Sequence, residues 1–265
     1  MYLTNPIVVP IAWSMMNYEN LDTWVDKHGL NDIADDEATP LHQLFTSEVP
    51  DTLVEFAGRH CYRSWEKGRD SKQYIENILD QRHGSVLEHS SISFAISGIS
   101  RSCSHELVRH RAGFAWSQES QRYVDAKDMN FVIPPLFLDL GDEELIEDFK
   151  RSCQANLDYY IKTQKDLERV IAAKRADVKV HGKRKKRINE TARASLPNAA
   201  ETRLVMTCNL RALRHFLELR GGEGADAEIR RLSLYILPHV KEIFPLIFGD
   251  LEVPEDFITS KYPKV

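Results

Sequence analysis

The apolar run Pro6-Ile7-Val8-Val9-Pro10-Ile11-Ala12-Trp13 is short and rich in β-branched residues, and it predicts an early strand. From Asn17 to Glu48 the chain is polar and acidic without a clear period, as a loop or a short helix would be. Leu53, Phe56, Ala57 and Tyr62 then fall at helical spacing, predicting a helix from Thr52 that ends near Gly68, and Tyr74, Ile75, Ile78 and Leu79 predict a second. A His-rich turn, His83-Gly84-Ser85-Val86-Leu87-Glu88-His89, precedes Ile92 to Gly98, where apolar and small polar residues alternate as in a half-buried strand. Arg101, His105 and Arg109 recur four apart along one face of a short helix. Phe131-Val132-Ile133 reads as a strand that a Pro pair ends. A long helical pattern runs from Asp142 to about Ala176 and continues into a basic run, His181 to Arg187. Leu204, Val205, Cys208, Leu213, Phe216 and Leu217 predict one long amphipathic helix over Ala199–Arg220, capped by Gly221-Gly222 and followed by another helix from Ala225.

The 265 residues suffice for a full core, and 42% hydrophobic with 28% charged residues is ordinary for a globular chain. Lys+Arg number 35 and Asp+Glu 40, a formal charge of −5, so no global basic field draws in nucleic acid. The cations at 183–187 are then read as a solvated excursion or a local lure for phosphate. The first residues carry no basic segment before an apolar stretch, and no apolar run is long enough to span a bilayer. A cytoplasmic protein without a membrane segment is expected. Cys61, Cys103, Cys153 and Cys208 lack the spacing of a zinc site, and His83 and His89 lack the four-residue helical spacing of a ligand pair, so no metal is expected.

The chemistry concentrates in Arg109-His110-Arg111 and the polar segment that closes on Arg122. Arginine presents a planar fork of donors that matches phosphate, so Arg109, Arg111 and Arg122 suggest a nucleotide clamp, with Ser117, Gln118 and Ser120 placed to read base or sugar. On a continuous helix at about 100° per residue, Asn209 and Arg220 project to nearly one side while Arg211 and His215 share another. No single pocket of one chain would easily collect all four, which predicts sites completed by a neighbouring copy. Two other classes stay open on these residues: a metal-dependent nucleotide phosphohydrolase using the His and carboxylates, and a nucleic-acid binder using the basic run.

The chain resembles the flavin-dependent thymidylate synthases. Arg109-His110-Arg111 and Ser120-Gln121-Arg122-Tyr123 match the family's RHR signature and its Ser-x-Arg-Tyr close, with a spacer of eight residues, Ala112 to Glu119, in place of seven. Gly113 is the natural place to absorb the extra residue. His83-Gly84-Ser85 resembles the family's His-x-Ser/Thr turn, Ala192-Arg193 with Leu196-Pro197 its Ala-Arg-x-x-Leu-Pro element, and Asn209, Arg211, His215 and Arg220 its last motif. The resemblance implies a single α+β domain over residues 1–265, a mixed or antiparallel sheet packed with long helices, with a basic helical excursion around 142–190. It also implies reductive methylation of dUMP to dTMP, with methylenetetrahydrofolate as carbon donor, FAD as hydride carrier and NADPH as reductant, in a homotetramer with shared sites. Carried over residue by residue, dUMP would meet Glu106, Arg109, Gln118, Glu119, Ser120, Gln121, Arg122, Arg193 and Arg220, the last as the catalytic residue. FAD would meet His83, Ser85, Arg109, His110, Arg111, Gln118, Asn209, Arg211 and His215. Glu106 stands where the family commonly has Gln.

Overall fold

The computed structural model describes residues 1–47, 49–66, 68–173 and 184–265. Positions 174–176 of the long helical pattern and 181–183 of the basic run lie outside the described residues. In chain order the elements are β1 (Tyr2–Leu3), β2 (Ile7–Trp13), α1 (Tyr18–His28), α2 (Asn31–Ala34), α3 (Pro40–Thr46), α4 (Thr52–Tyr62), α5 (Ser71–Asp80), β3 (Ser91–Ser100), α6 (Arg101–Leu107), β4 (Phe114–Gln118) and β5 (Phe131–Val132). There follow α7 (Pro135–Leu140), α8 (Glu143–Ala173), α9 (Arg184–Ala192), β6 (Glu201–Asn209), α10 (Leu210–Arg220), α11 (Ala227–Ile243), α12 (Pro245–Phe248), β7 (Leu251–Glu252) and β8 (Thr259–Ser260). The class is α+β, with an antiparallel four-stranded sheet in the order β2-β3-β6-β4.

The expected strand at Ile7–Trp13, the alternating strand at Ser91–Ser100 and the long helix from Glu143 all form. The helix expected from Thr52 to near Gly68 ends at Tyr62, where Arg63 turns into the left-handed region, and two further expectations change. The polar stretch after Asn17 holds three helices, the first capped by the Asn17 side chain and closed by Gly29 in the left-handed region, as a local capping reading explains. The long helix over Ala199–Arg220 does not exist as one element: Glu201–Asn209 is a strand, and only Leu210–Arg220 is helical. Thr202, Leu204, Met206 and Cys208 are buried while Arg203 and Val205 face out, a period of two. Leu204, Val205 and Cys208 fit a helical face equally well, and the choice falls to the sheet.

By contact density the chain forms two units. The first comprises Met1–Ile7, Ile96–Arg109 and Ser117–Val205. In it β1 pairs in parallel with β5, Tyr2 opposite Phe131, and the Tyr2 ring stacks on Phe131 at 5.9 Å. Cys153, Leu157 and Tyr160 of α8 lie four and then three residues apart on one helical face and meet Phe131, Ala192 and Ala200 in a shared core.

The second unit comprises Val8–Ala95, His110–Trp116 and Met206–Val265. Trp65 is buried with Val25, Leu41 and Leu44, and Trp24 and Phe56 pack against them. Beneath them α4 buries an ion pair, Glu55 to Arg59 at 2.7 Å, whose guanidinium lies 4.2 Å from the Tyr74 ring centroid. Arg214 of α10 is 1% exposed and donates to both oxygens of Asp250 at 2.7 Å, to the Ile247 carbonyl at 2.6 Å, and to Ser260 and the Tyr262 carbonyl. It ties the β7–β8 ribbon to the helix.

Candidate functional site

The sequence-predicted residues sort between the units, and each group is built by its own elements. In the first unit α6 is capped by Ser100, whose hydroxyl accepts the Cys103 N–H at 3.0 Å; Glu106 stands in its last turn and Arg109 just beyond its C-cap, Val108. Its first residue, Arg101, is not among the predicted site residues. It is half-buried, and its pKa is lowered by burial and then by the neighbouring charge of Arg193, with Glu119 acting the other way. Two guanidinium groups that repel one another in a half-buried place favour an anion between them. Only a four-residue recurrence with His105 and Arg109 marked Arg101 in the sequence.

The loop after β4 is fixed mostly by its own backbone. Gln118 donates its amide to Ser104 Oγ and Thr202 Oγ1, both at 2.9 Å, so much of its capacity is spent inside the protein. The Glu119 N–H donates to the Arg203 carbonyl, and the Ser120 carbonyl accepts from the Tyr123 and Val124 N–H groups. Ser120 Oγ accepts from the Arg122 N–H at 3.4 Å, and no general base touches it among the described residues. A hydroxyl so placed has no partner to activate it as a nucleophile among the described residues. Glu119 and Gln121 line a cavity of about 180 Å³ with Asp125, Glu201 and Arg203, and the Gln121 Nε2 is buried without a hydrogen-bond partner among the described residues. Arg109 is exposed.

In the second unit the His83 turn becomes a short 3-10 helix, Gly84–His89, just before β3. Its Glu88 pairs with Arg211 at 2.6 Å. Gly84 is required by packing, because a Cβ there would lie 2.8 Å from Arg211 Nε and from the Val265 backbone. A cavity of about 350 Å³ is lined by Tyr62, Tyr74, Arg82, His83, Ser85 and Arg211, with Cys61 at its wall. Asn209 is not on the body of a helix. It is the N-cap of α10, accepting the Ala212 N–H at 2.8 Å, and its own N–H donates to the Gly113 carbonyl. Gly113 has φ +74 and admits no Cβ against Asn209 and Ala212, which makes it the residue where the longer spacer turns.

Arg220 Nε donates to His110 Nε2 at 3.1 Å. The His110 ring meets Phe216 edge-on at 5.2 Å, and its carbonyl accepts from Trp116. Burial, and then the charges of Arg220 and His215, hold the imidazole below its ordinary pKa. His110 is therefore neutral at pH 7, with Nε2 as the acceptor. It stands near both Arg220 and His215, so one chain gathers residues from the two helix faces that the sequence geometry had set apart. Asn209 ends a strand and caps α10 where a continuous helix was assumed, while Arg211, His215 and Arg220 share that helix as expected.

An unfolded chain takes up a proton at His110 near its ordinary value of about 6.5, while the folded chain resists it, so stability declines as pH falls from there and levels off below the folded pKa. Between about pH 7.5 and about pH 5.5 the thermal midpoint should drop more for the unchanged protein than for His110→Asn. Equal drops would count against this assignment.

Arg111, Arg211 and His215 are exposed in this unit, as are His83 and Ser85. Among the described residues no group of three His, Cys, Asp or Glu side chains could hold a metal ion. Cys208 and Cys153 are buried, which pushes their thiols up and away from the nucleophilic form.

A sequence model of the family described as "Thymidylate synthase complementing protein" (Thy1) matches residues 43–246. The chain is 47% identical over 206 residues to the flavin-dependent thymidylate synthase of Mycobacterium tuberculosis, covering 76% of this chain and 79% of that one. It is 44% identical over 205 residues to the protein of the same description from Mycobacteroides abscessus, with the same coverage. Among solved structures, a UMP/dUMP methylase, PolB, from Streptomyces cacaoi bound with 5-Br UMP superposes with a TM-score of 0.63 at 19% identity, covering 94% of this chain and 95% of that one. At that identity the likeness speaks for the fold alone.

Proposed function

This chain belongs to the Thy1 family of flavin-dependent thymidylate synthases, and from that premise we propose how its own residues carry the conversion of dUMP to dTMP. The cofactor is FAD, with methylenetetrahydrofolate as carbon donor and NADPH as reductant. The observation that carries the reading is the Arg220–His110 contact, which joins the last motif to the RHR motif at 3.1 Å. Uracil C5 is a weak nucleophile, and it gains electron density when a fixed cation stabilises charge at N3 or the adjacent carbonyl oxygens. Arg220 does this, and neutral His110 holds its guanidinium in place. Because His110 carries no proton on Nε2, it orients Arg220 without competing with it for negative charge.

Arg101 and Arg193 take the nucleotide phosphate, with exposed Arg109 and half-buried Arg122 as the arms of the same group, and Glu119 restrains Arg101. Glu106, Gln118, Ser120 and Gln121 set the base and sugar. The residues of the second unit suit a flavin dinucleotide: a cavity with tyrosine walls, the cations Arg82 and Arg211 for a diphosphate, and a Gly84 cradle that a Cβ would fill. His83, Ser85, His110, Arg111, Asn209, Arg211 and His215 would hold it. When bound, the reduced flavin supplies the hydride. Ser120 serves binding, and no cysteine attacks the ring.

Each unit is assembled from three separate stretches of chain, which supports one domain over residues 1–265. The working form is a homotetramer with shared sites. Its support is the outward side of β2, where Val9, Ile11 and Trp13 are 47, 52 and 41% exposed in one apolar row that suits a second copy, with Met15 just past the strand 51% exposed. Among the described residues no helix is long and apolar enough to cross a membrane, and the enzyme works in the cytoplasm. The metal-dependent phosphohydrolase gains no support.

The deciding experiment uses the purified protein. It should be yellow, oxidise NADPH faster when dUMP is added, and form dTMP once methylenetetrahydrofolate is present. Colourless protein that takes up no added FAD would overturn the assignment.

A further inference from the structure

The helical excursion and its basic run are not used by the reaction above, yet both are docked on the loop that follows Ser120. Arg122 Nε donates to Glu190 Oε2 at 3.0 Å. Lys186 Nζ lies 4.7 Å from the Tyr123 ring centroid, and Lys185 Nζ lies 3.6 Å from Asp125 Oδ2. Loop residues 122, 123 and 125 thus each find a partner within about two turns of α9. A solvated basic helix would make none of these contacts.

Behind them α8 and α9 share a buried network. Asp125 Oδ1 accepts from Tyr160 and from Gln164, both at 3.2 Å. The Tyr160 hydroxyl also accepts from the Ala126 N–H at 3.2 Å, and Gln164 reaches Asn189 Oδ1 at 2.9 Å. Tyr160 and Asn189 are fully buried. The excursion is therefore hydrogen-bonded through to the loop backbone, and a shift of either helix would move Asp125 and the residues before it.

We infer that the α8–α9 pair is a clamp on the Ser120–Asp125 segment, in which Glu190 is the positioning residue that aims Arg122 at the nucleotide. The inference rests on the reading of Arg122 as a dUMP contact. Glu190 takes the Nε–H, and among the described residues Nη1 and Nη2 of Arg122 have no hydrogen-bond partner. Those two nitrogens are the pair that grips a phosphate or carboxylate side by side. Holding the guanidinium before the ligand arrives removes part of the ordering cost of binding.

Charge and position make opposite predictions. If Glu190 acted only through its charge, removing it would tighten binding of an anion, whereas a positioning role requires binding to weaken. Titration calorimetry with dUMP should show Glu190→Ala about fivefold weaker than the unchanged protein, the size of a partly exposed ion pair. Glu190→Gln, which keeps an acceptor at the same reach, should recover most of that loss. In an Arg122→Gln background the Glu190→Ala substitution should add nothing. In steady state KM for dUMP should rise by more than kcat falls. Unchanged or tighter binding by Glu190→Ala, or a loss that persists without Arg122, overturns the clamp. Failure of the unchanged protein to bind dUMP at all would be seen before any substitution and would remove the substrate reading together with the clamp.

Discussion

Turnover of dUMP by Arg220→Ala is expected to fall about a thousandfold while FAD stays bound, the scale on which loss of one fixed donor to a developing anion is felt. The substitution removes a permanent cation from a position that His110 holds through Nε2 at 3.1 Å. It creates no cavity in the core, because Arg220 is only partly buried at the end of α10. Arg220→Lys should fall between, keeping the charge and losing the planar fork. The measurement is single-turnover dTMP formation beside the flavin absorption spectrum. Loss of the spectrum together with helix content would make Arg220 a structural residue and sink the catalytic assignment.

Six residues earlier on the same helix, Arg214→Met should have the opposite profile: a protein that unfolds early and loses activity only as it unfolds. Arg214 spends its guanidinium on Asp250, Ser260 and the carbonyls of Ile247 and Tyr262. Burial alone would raise the Asp250 carboxyl, but the hydrogen bonds and charge of Arg214 outweigh it and hold the group below its usual value. Without the arginine both the buried Asp250 carboxylate and Glu218 lose their cation, and removing one partner of a buried pair costs about 3–5 kcal/mol. For a chain of this size the thermal midpoint should fall by roughly 10 °C. Arg214→Met combined with Asp250→Leu should recover part of it. An unchanged midpoint in the single variant would show that the hub contributes little.

These two arginines also mark what can be read from sequence. Arg220 belongs to a local signature with Asn209, Arg211 and His215, and signature residues keep their spacing whatever the backbone does between them. Arg214 sits in the same stretch without distinction, because its meaning lies in Asp250, 36 residues on. Arg101 and Glu190 were missed for the same reason: Arg101 matters through Arg193, and Glu190 through Arg122, 68 residues away. Strands and helices with a strong period, Ser91–Ser100 and Glu143–Ala173, were legible from pattern alone. The segment Glu201–Asn209 was not, since its apolar positions fit both periods and sheet pairing decides between them. Family motifs are recognised by spacing even where the assumed backbone was wrong, as at Asn209, which caps a helix it was expected to lie within.

The interleaving of the two units has a consequence for how the chain is made. β1 is synthesised first and waits for Phe131 and Val132. The N–H of Arg101 waits for the carbonyl of Ala200, the carbonyl of Ser90 for Leu210, and the carboxylate of Asp51 for the N–H of Ile247. The first unit cannot close until Val205 has been made and the second until Val265 has, which at about 5–20 residues per second takes tens of seconds. Until β6 has been made, Ser91–Ser100 has β2 on one side and an open edge on the other, and that edge is the part of the nascent chain that a holding chaperone would cover.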